Sequence, residues 1–141
     1  MLFDTRIEIS MQGQNSPHVR MSIDGLQICD CILAEQYIFR TDLPLDEGEH
    51  VIEIELKNKI DGNEHVLIDY VEFEGIQTDR IKWEGIYEPD YPEPWASQQT
   101  DLQPTLKGVT HLGWNGVWRL RFTAPVFTWI HEVERLGWIY R

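Results

Sequence analysis

The sequence predicts an antiparallel β-sandwich with one short C-terminal α-helix. Three observations carry that prediction. Between residues 5 and 75 short runs alternate apolar and polar residues at the period of a half-buried strand, turn chemistry separates the runs, and no strand–helix–strand rhythm appears anywhere. Short strands at this spacing pair with their neighbours and stack as two sheets or close as a barrel, and the missing helices argue against a nucleotide-binding α/β fold. With 141 residues, 42% of them hydrophobic, the chain reads as one domain over 1–141, able to bury a core without staples.

Ile7, Ile9 and Met11 alternate with Glu8 and Ser10, and a loop by composition follows at Gln12–Pro17. Val19, Met21 and Ile23 resume the alternation. Asp24-Gly25 then separates that run from Leu26-Gln27-Ile28, and Asp-Gly between alternating runs is a strong hairpin signal because it accepts positive φ. Residues 36–41 read as a strand and Leu43–Gly48 as a turn. Ile52, Ile54 and Leu56 alternate with Glu53 and Glu55, and Asn58–Asn63 is a second turn cluster. Residues 65–74 complete the set, with Leu67, Val71 and Phe73 expected on one face.

The second half differs. Ile81–Tyr87 reads as one more strand. Residues 88–105 hold four prolines with Tyr91 and Trp95, too many prolines for a strand interior, and so form a long ordered loop or arm. Gly113-Trp114-Asn115-Gly116 is turn chemistry, and Trp118, Leu120 and Phe122 then alternate with Arg119 and Arg121. From Pro125 the apolar residues Val126, Trp129, Ile130, Val133 and Leu136 fall at helical spacing, so a helix is expected over about 125–136, with Gly137 placed to end it. Trp118, Leu120, Phe122, Trp129 and Val133 are candidate core residues.

Charge excludes some partners. The formal net charge is −12, and the acidity is local: residues 1–80 hold 17 acidic against 6 basic side chains, residues 81–141 hold 7 against 6. A phosphate backbone or an anionic lipid surface would be repelled, so neither nucleic acid nor membrane is an expected partner. No leader segment is apparent ahead of the first strand, and synthesis in a reducing cytoplasm is expected. Cys29 and Cys31 are expected on opposite faces of a strand, unbonded, and C-x-C without a second pair is no metal motif.

Catalytic motifs are missing: no nucleophile elbow, zinc-protease helix or phosphate loop occurs, and the five histidines lack ligand spacing. The chain is expected not to be an enzyme. The best constellation for a ligand is the turn Asn58–Glu64 with Asp69 near it. Oxygen donors around a glycine suit a hard cation, so Asn58, Asp61 and Glu64 are candidate calcium ligands. Trp83, Tyr87, Tyr91 and Trp95 are candidate aromatics facing a ligand or partner.

The stretch Ile7–Gly75 resembles the small jelly-roll domains of calcium-dependent xylan-binding modules. The resemblance rests on the early Ile-Glu-Ile strand, the polar loop at Gly13, the Ile23-Asp24-Gly25 hairpin, Leu56-Lys57-Asn58 with the Asp-Gly loop after it, and the closing Leu67-Ile68-Asp69-Tyr70-Val71-Glu72-Phe73-Glu74-Gly75. It covers about half of the chain and implies acidic loop residues that hold calcium, which in turn meets sugar hydroxyls. The segment from Gly113 to Phe122, with Pro125 and Phe127–Ile130, resembles small uncharacterised proteins of tailed bacteriophages. That second resemblance implies a virion-associated structural or decoration protein in capsid, neck, tail or baseplate, with other virion proteins or its own copies as partners. A virion role is the first expectation, and a calcium-dependent module for host surface polysaccharide is the alternative.

Overall fold

The structure is a computed structural model and describes residues 2–33, 35–57 and 64–134. In chain order the elements are β1 (Leu2–Gln14), β2 (His18–Ile23), β3 (Leu26–Ile32), β4 (Gln36–Asp46), β5 (Gly48–Lys57), β6 (His65–Phe73), β7 (Ile76–Gln77), α1 (Asp79–Trp83), β8 (Ile86–Pro89), β9 (Leu106–Lys107), β10 (His111–Leu112), β11 (Gly116–Ala124) and α2 (Val126–Val133). They form two antiparallel sheets, one ordered β10-β6-β1-β4 with β7 beside β6, the other β3-β2-β5-β11-β8-β9. This is the expected sandwich with its short C-terminal helix.

The core lies between the sheets. Ile7, Ile9, Met11, Val66, Ile68, Val71 and Phe73 from the first sheet face Val19, Met21, Ile52, Ile54, Trp118, Leu120 and Phe122 from the second, all at most 1% exposed. Every second residue faces inward because the side-chain period of a strand is two. α2 closes one end: Trp129 sits edge-on to Phe73 at 5.5 Å and to Phe122 at 6.2 Å. Val133 packs against the same core, and the expected helix end at Leu136–Gly137 falls outside the described residues.

Several expectations are corrected. Val66 and Ile68 point inward and Leu67 is exposed, so Leu67 does not share a face with Val71 and Phe73. The register of β6 on β1 shifts between Ser10 and Met11: Ser10 pairs with Tyr70, Met11 with Ile68, and Asp69 is the extra residue. A bulge of one residue flips inward parity, which strict alternation cannot foresee. Ile81–Trp83 belong to a short helix, with only Ile81 buried, and the strand begins at Ile86. The expected turn at Leu43–Gly48 is shorter, since β4 runs through Pro44 to Asp46. An edge strand accepts proline because one side of its backbone has no strand to bond. Cys29 and Cys31 share a face, as residues two apart on a strand do, and their Sγ atoms lie 2.9 Å apart with both thiols free.

Candidate functional site

Register places one set of loops at a single pole of the sandwich. Leu56 near the end of β5 pairs with Gly116 at the start of β11, and Gly116 pairs with Pro89 at the end of β8. His65 opens β6 opposite Gln14 at the end of β1. The turn Gly113–Gly116, the chain leaving β8 and the entry to β6 therefore meet there. Gly116 is indispensable to this arrangement: its φ is +154°, and a Cβ would lie 2.3 Å from the Glu88 carbonyl oxygen.

Between these loops runs a trough of about 500 Å³, walled by Glu55, Lys57, Glu88, Asp90, Pro104 and Asn115. The Asp90 amide donates to the Asn115 carbonyl at 2.6 Å and holds the two rims together. Most of its charges are neutralised in place. Arg20 pairs with Glu55 at 2.5 Å, Lys57 with Asp30 at 3.1 Å, and Arg119 bridges Glu53 at 2.8 Å and Glu88. Paired carboxylates, an amide and backbone groups are a surface for hydrogen-bonding a neutral polar ligand rather than for capturing an ion.

Beside the trough three rings cluster. Trp95 and Trp114 lie 4.8 Å apart, and Tyr91 contacts Trp95 at 5.9 Å and Trp114 at 5.7 Å. All three are half-buried, so each keeps part of its surface in solvent. The long loop is therefore ordered by its own aromatics, with a 3₁₀ turn at Ala96–Gln98 and the Tyr91 hydroxyl donating to the Gln103 carbonyl at 3.0 Å. Trp114 is fixed from below: its amide donates to the Tyr87 hydroxyl at 3.1 Å, and that hydroxyl donates to the Trp114 carbonyl. Burial pushes the Tyr87 phenol up to about 12, against the lowering effect of that backbone bond, so it stays a protonated donor.

The structure thus divides the four expected aromatics. Tyr91 and Trp95 come together. Tyr87 is 1% exposed and belongs to the core, because it lies on the inward face of β8 opposite Trp118; it supports the cluster without facing a ligand. Trp83 lies apart on α1 and is 48% exposed. Sequence reasoning missed Trp114, Asn115 and Asp90. A tryptophan inside a Gly-x-x-Gly turn was the available signal, since a turn gives an indole little to bury against unless another loop covers it.

Of the candidate calcium ligands, Asn58 and Asp61 lie outside the described residues. Glu64 lies just before β6 at the same pole and is 6% exposed. A carboxylate held out of water is a donor of the kind a hard cation takes. Among the described residues no group of three His, Cys, Asp or Glu side chains converges as a metal site. Asp69 is engaged by its neighbours: its carboxylate accepts from Ser10 at 3.0 Å and Gln12 at 3.1 Å, and its carbonyl accepts from Lys82.

No protein-family model matches the chain, and no curated protein matches it. Solved structures do. A structure of vCBM60 in complex with galactobiose superposes with a TM-score of 0.53 at 16% identity, covering 82% of this chain and 96% of that one. The fold is shared with vCBM60. A second, selenomethionine form of vCBM60 gives a TM-score of 0.56 at 18% identity over 82% of this chain and 89% of the other, and is described in terms of circular permutation linking two families of calcium-dependent carbohydrate-binding modules. At this identity the likeness to vCBM60 concerns the fold.

Proposed function

We propose that this chain is a non-catalytic glycan-binding module that takes a neutral sugar in the trough and against the rings of Tyr91, Trp95 and Trp114. The observation that carries the proposal is the convergence of three partly exposed rings with a polar, charge-paired trough at the loop pole. A pyranose has apolar C–H faces and a rim of hydroxyls, and this pairing of surfaces answers both. The structural neighbours add weight, since the vCBM60 structure contains galactobiose and vCBM60 is described among calcium-dependent carbohydrate-binding modules. They also reverse the order of the two readings from sequence. The virion-structural role gains no support from the fold or the comparisons, whereas the glycan-binding alternative does.

Calcium belongs to the same proposal. Asn58, Asp61 and Glu64 would hold it through oxygen, and a bound calcium ion would offer sugar hydroxyls a cation to coordinate. The test is Trp95→Ala, assayed by calorimetry against a panel of neutral oligosaccharides with the melting temperature as a control for folding. Loss of binding in a folded variant supports the proposal; unchanged binding refutes it.

A further inference from the structure

Trp83 is left over from the loop pole, and its surroundings have a chemistry of their own. α1 buries Ile81 and turns its other side to solvent. Arg80 and Trp83, three residues apart, share that side, as residues at this spacing do on a helix. With Glu84, Lys107 of β9 and Val133 of α2 they wall a hollow of about 330 Å³. Glu84 and Lys107 hold each other across it at 3.7 Å. Arg80 and Arg121 alone, among the described lysines and arginines, form no ion pair. In a chain with 24 acidic and 12 basic side chains, a guanidinium left unpaired beside a 48%-exposed indole is available to a ligand.

We propose that this hollow is a second binding site, selective for a sugar ring that carries a carboxylate. The indole offers a flat apolar face to one side of the pyranose. The planar guanidinium of Arg80 matches a carboxylate with two parallel hydrogen bonds. Lys107 offsets the charge of Glu84, so the guanidinium of Arg80 is the unpaired charge on the wall, and Val133 adds an apolar surface. A neutral sugar leaves Arg80 unused and a simple anion leaves Trp83 unused, so a uronic acid uses the site best. An acidic peptide supplies the carboxylate without the flat ring. The trough, whose lysine is already paired with Asp30 and whose wall carries Asp90, offers the same ligand no free cation. The two sites lie at opposite ends of β8: Ile86 pairs with Lys107 at one end, and Pro89 borders the trough at the other, about 10 Å away along the strand. The site stands on its own residues and does not depend on the proposal for the trough.

The experiment is calorimetric titration of the whole chain with digalacturonate, with galactobiose and a hexaglutamate peptide as comparators. Digalacturonate is expected to bind more tightly than either comparator. Arg80→Gln and Trp83→Ala are each expected to weaken it about tenfold, and Trp95→Ala to leave it unchanged. Both α1 variants should melt close to the wild type, because both side chains are exposed. Absence of binding, or binding unmoved by Trp83→Ala, overturns the proposal. Hexaglutamate binding as well as digalacturonate overturns it in favour of an acidic-peptide surface. Loss through Trp95→Ala with retention in Trp83→Ala moves the ligand to the trough, which would defeat this site and leave the trough proposal standing.

Discussion

At the scale of single residues, His50 does the most with one side chain. Its Nδ1 lies 2.6 Å from an Asp24 carboxylate oxygen and its Nε2 lies 2.7 Å from the Asp46 carbonyl. Both partners are acceptors, so the ring satisfies both only as the imidazolium. Burial pulls its pKa down, but the bonds to Asp46 and Asp24 and their charges outweigh it, and the net shift is upward. A raised folded pKa means that the stabilisation is complete below the ordinary histidine value and is lost as pH rises through the raised value. The melting temperature of the wild type should therefore fall as pH rises above the ordinary histidine value. His50→Gln should flatten that fall while lowering stability at pH 5; an unchanged slope would mean that another group titrates. Trp129 is the second case. It is 8% exposed and edge-on to two phenylalanines, so Trp129→Ala should cost about 3–5 kcal/mol in denaturant unfolding. Its helical spacing made it readable as core in the sequence. Tyr87 was not readable in this way, because a tyrosine on a short strand can face either side until the partner strand is known.

At the scale of elements, the informative places are those where period and position part. The bulge at Asp69 flips the inward parity of β6, and the parity of a strand beyond a bulge depends on contacts with β1 that lie 59 positions away for the Ser10–Asp69 pair. Strand alternation made β1, β2, β5 and β11 legible, since each is regular over most of its length. α1 was not legible: its five residues carry one buried side chain, and a helix that short has no period to read. β3 yields a prediction. Burial, with the bond and charge of Cys29 and the charge of Asp30 behind it, pushes the Cys31 thiol up to about 12. Alkylation at Cys31, followed by peptide mapping at pH 8, should therefore be slower in the folded protein than in the urea-unfolded chain by about tenfold or more, because only the thiolate reacts. Equal rates would contradict the placement of Cys31. The β8–β11 contact yields another. Gly116→Ala forces a Cβ against the Glu88 carbonyl at a φ that L-residues avoid, and should cost more than about 1 kcal/mol while distorting the trough.

At the scale of the whole molecule, the two sheets supply a rigid frame, and the chain spends its irregular sequence at one pole. The proline- and aromatic-rich segment after β8 reads in the sequence as a long ordered loop or arm. Within the structure its rings find Trp114, and the loop becomes part of a surface. The fold was legible because alternation and turn chemistry are local. The trough was not, because Glu55, Glu88 with Asp90, and Asn115 come from three separated stretches that only the strand register brings together. The acidity of the first half finds a partial use: many of its carboxylates pair across the outer faces of the sheets, as Glu8 does with Arg40 and Glu53 with Arg119. Ion pairs on a solvated sheet face contribute little stability each, so the acidity mainly keeps the surface hydrated.

The most direct test of the central claim is the affinity of the wild-type chain for neutral oligosaccharides, measured by calorimetry with calcium and with chelator. Glycan binding through the loop pole predicts a titratable heat with at least one neutral oligosaccharide, weakened by chelation and abolished in a folded Trp95→Ala variant. A chain that binds none of them in calcium, or whose binding survives Trp95→Ala, contradicts it.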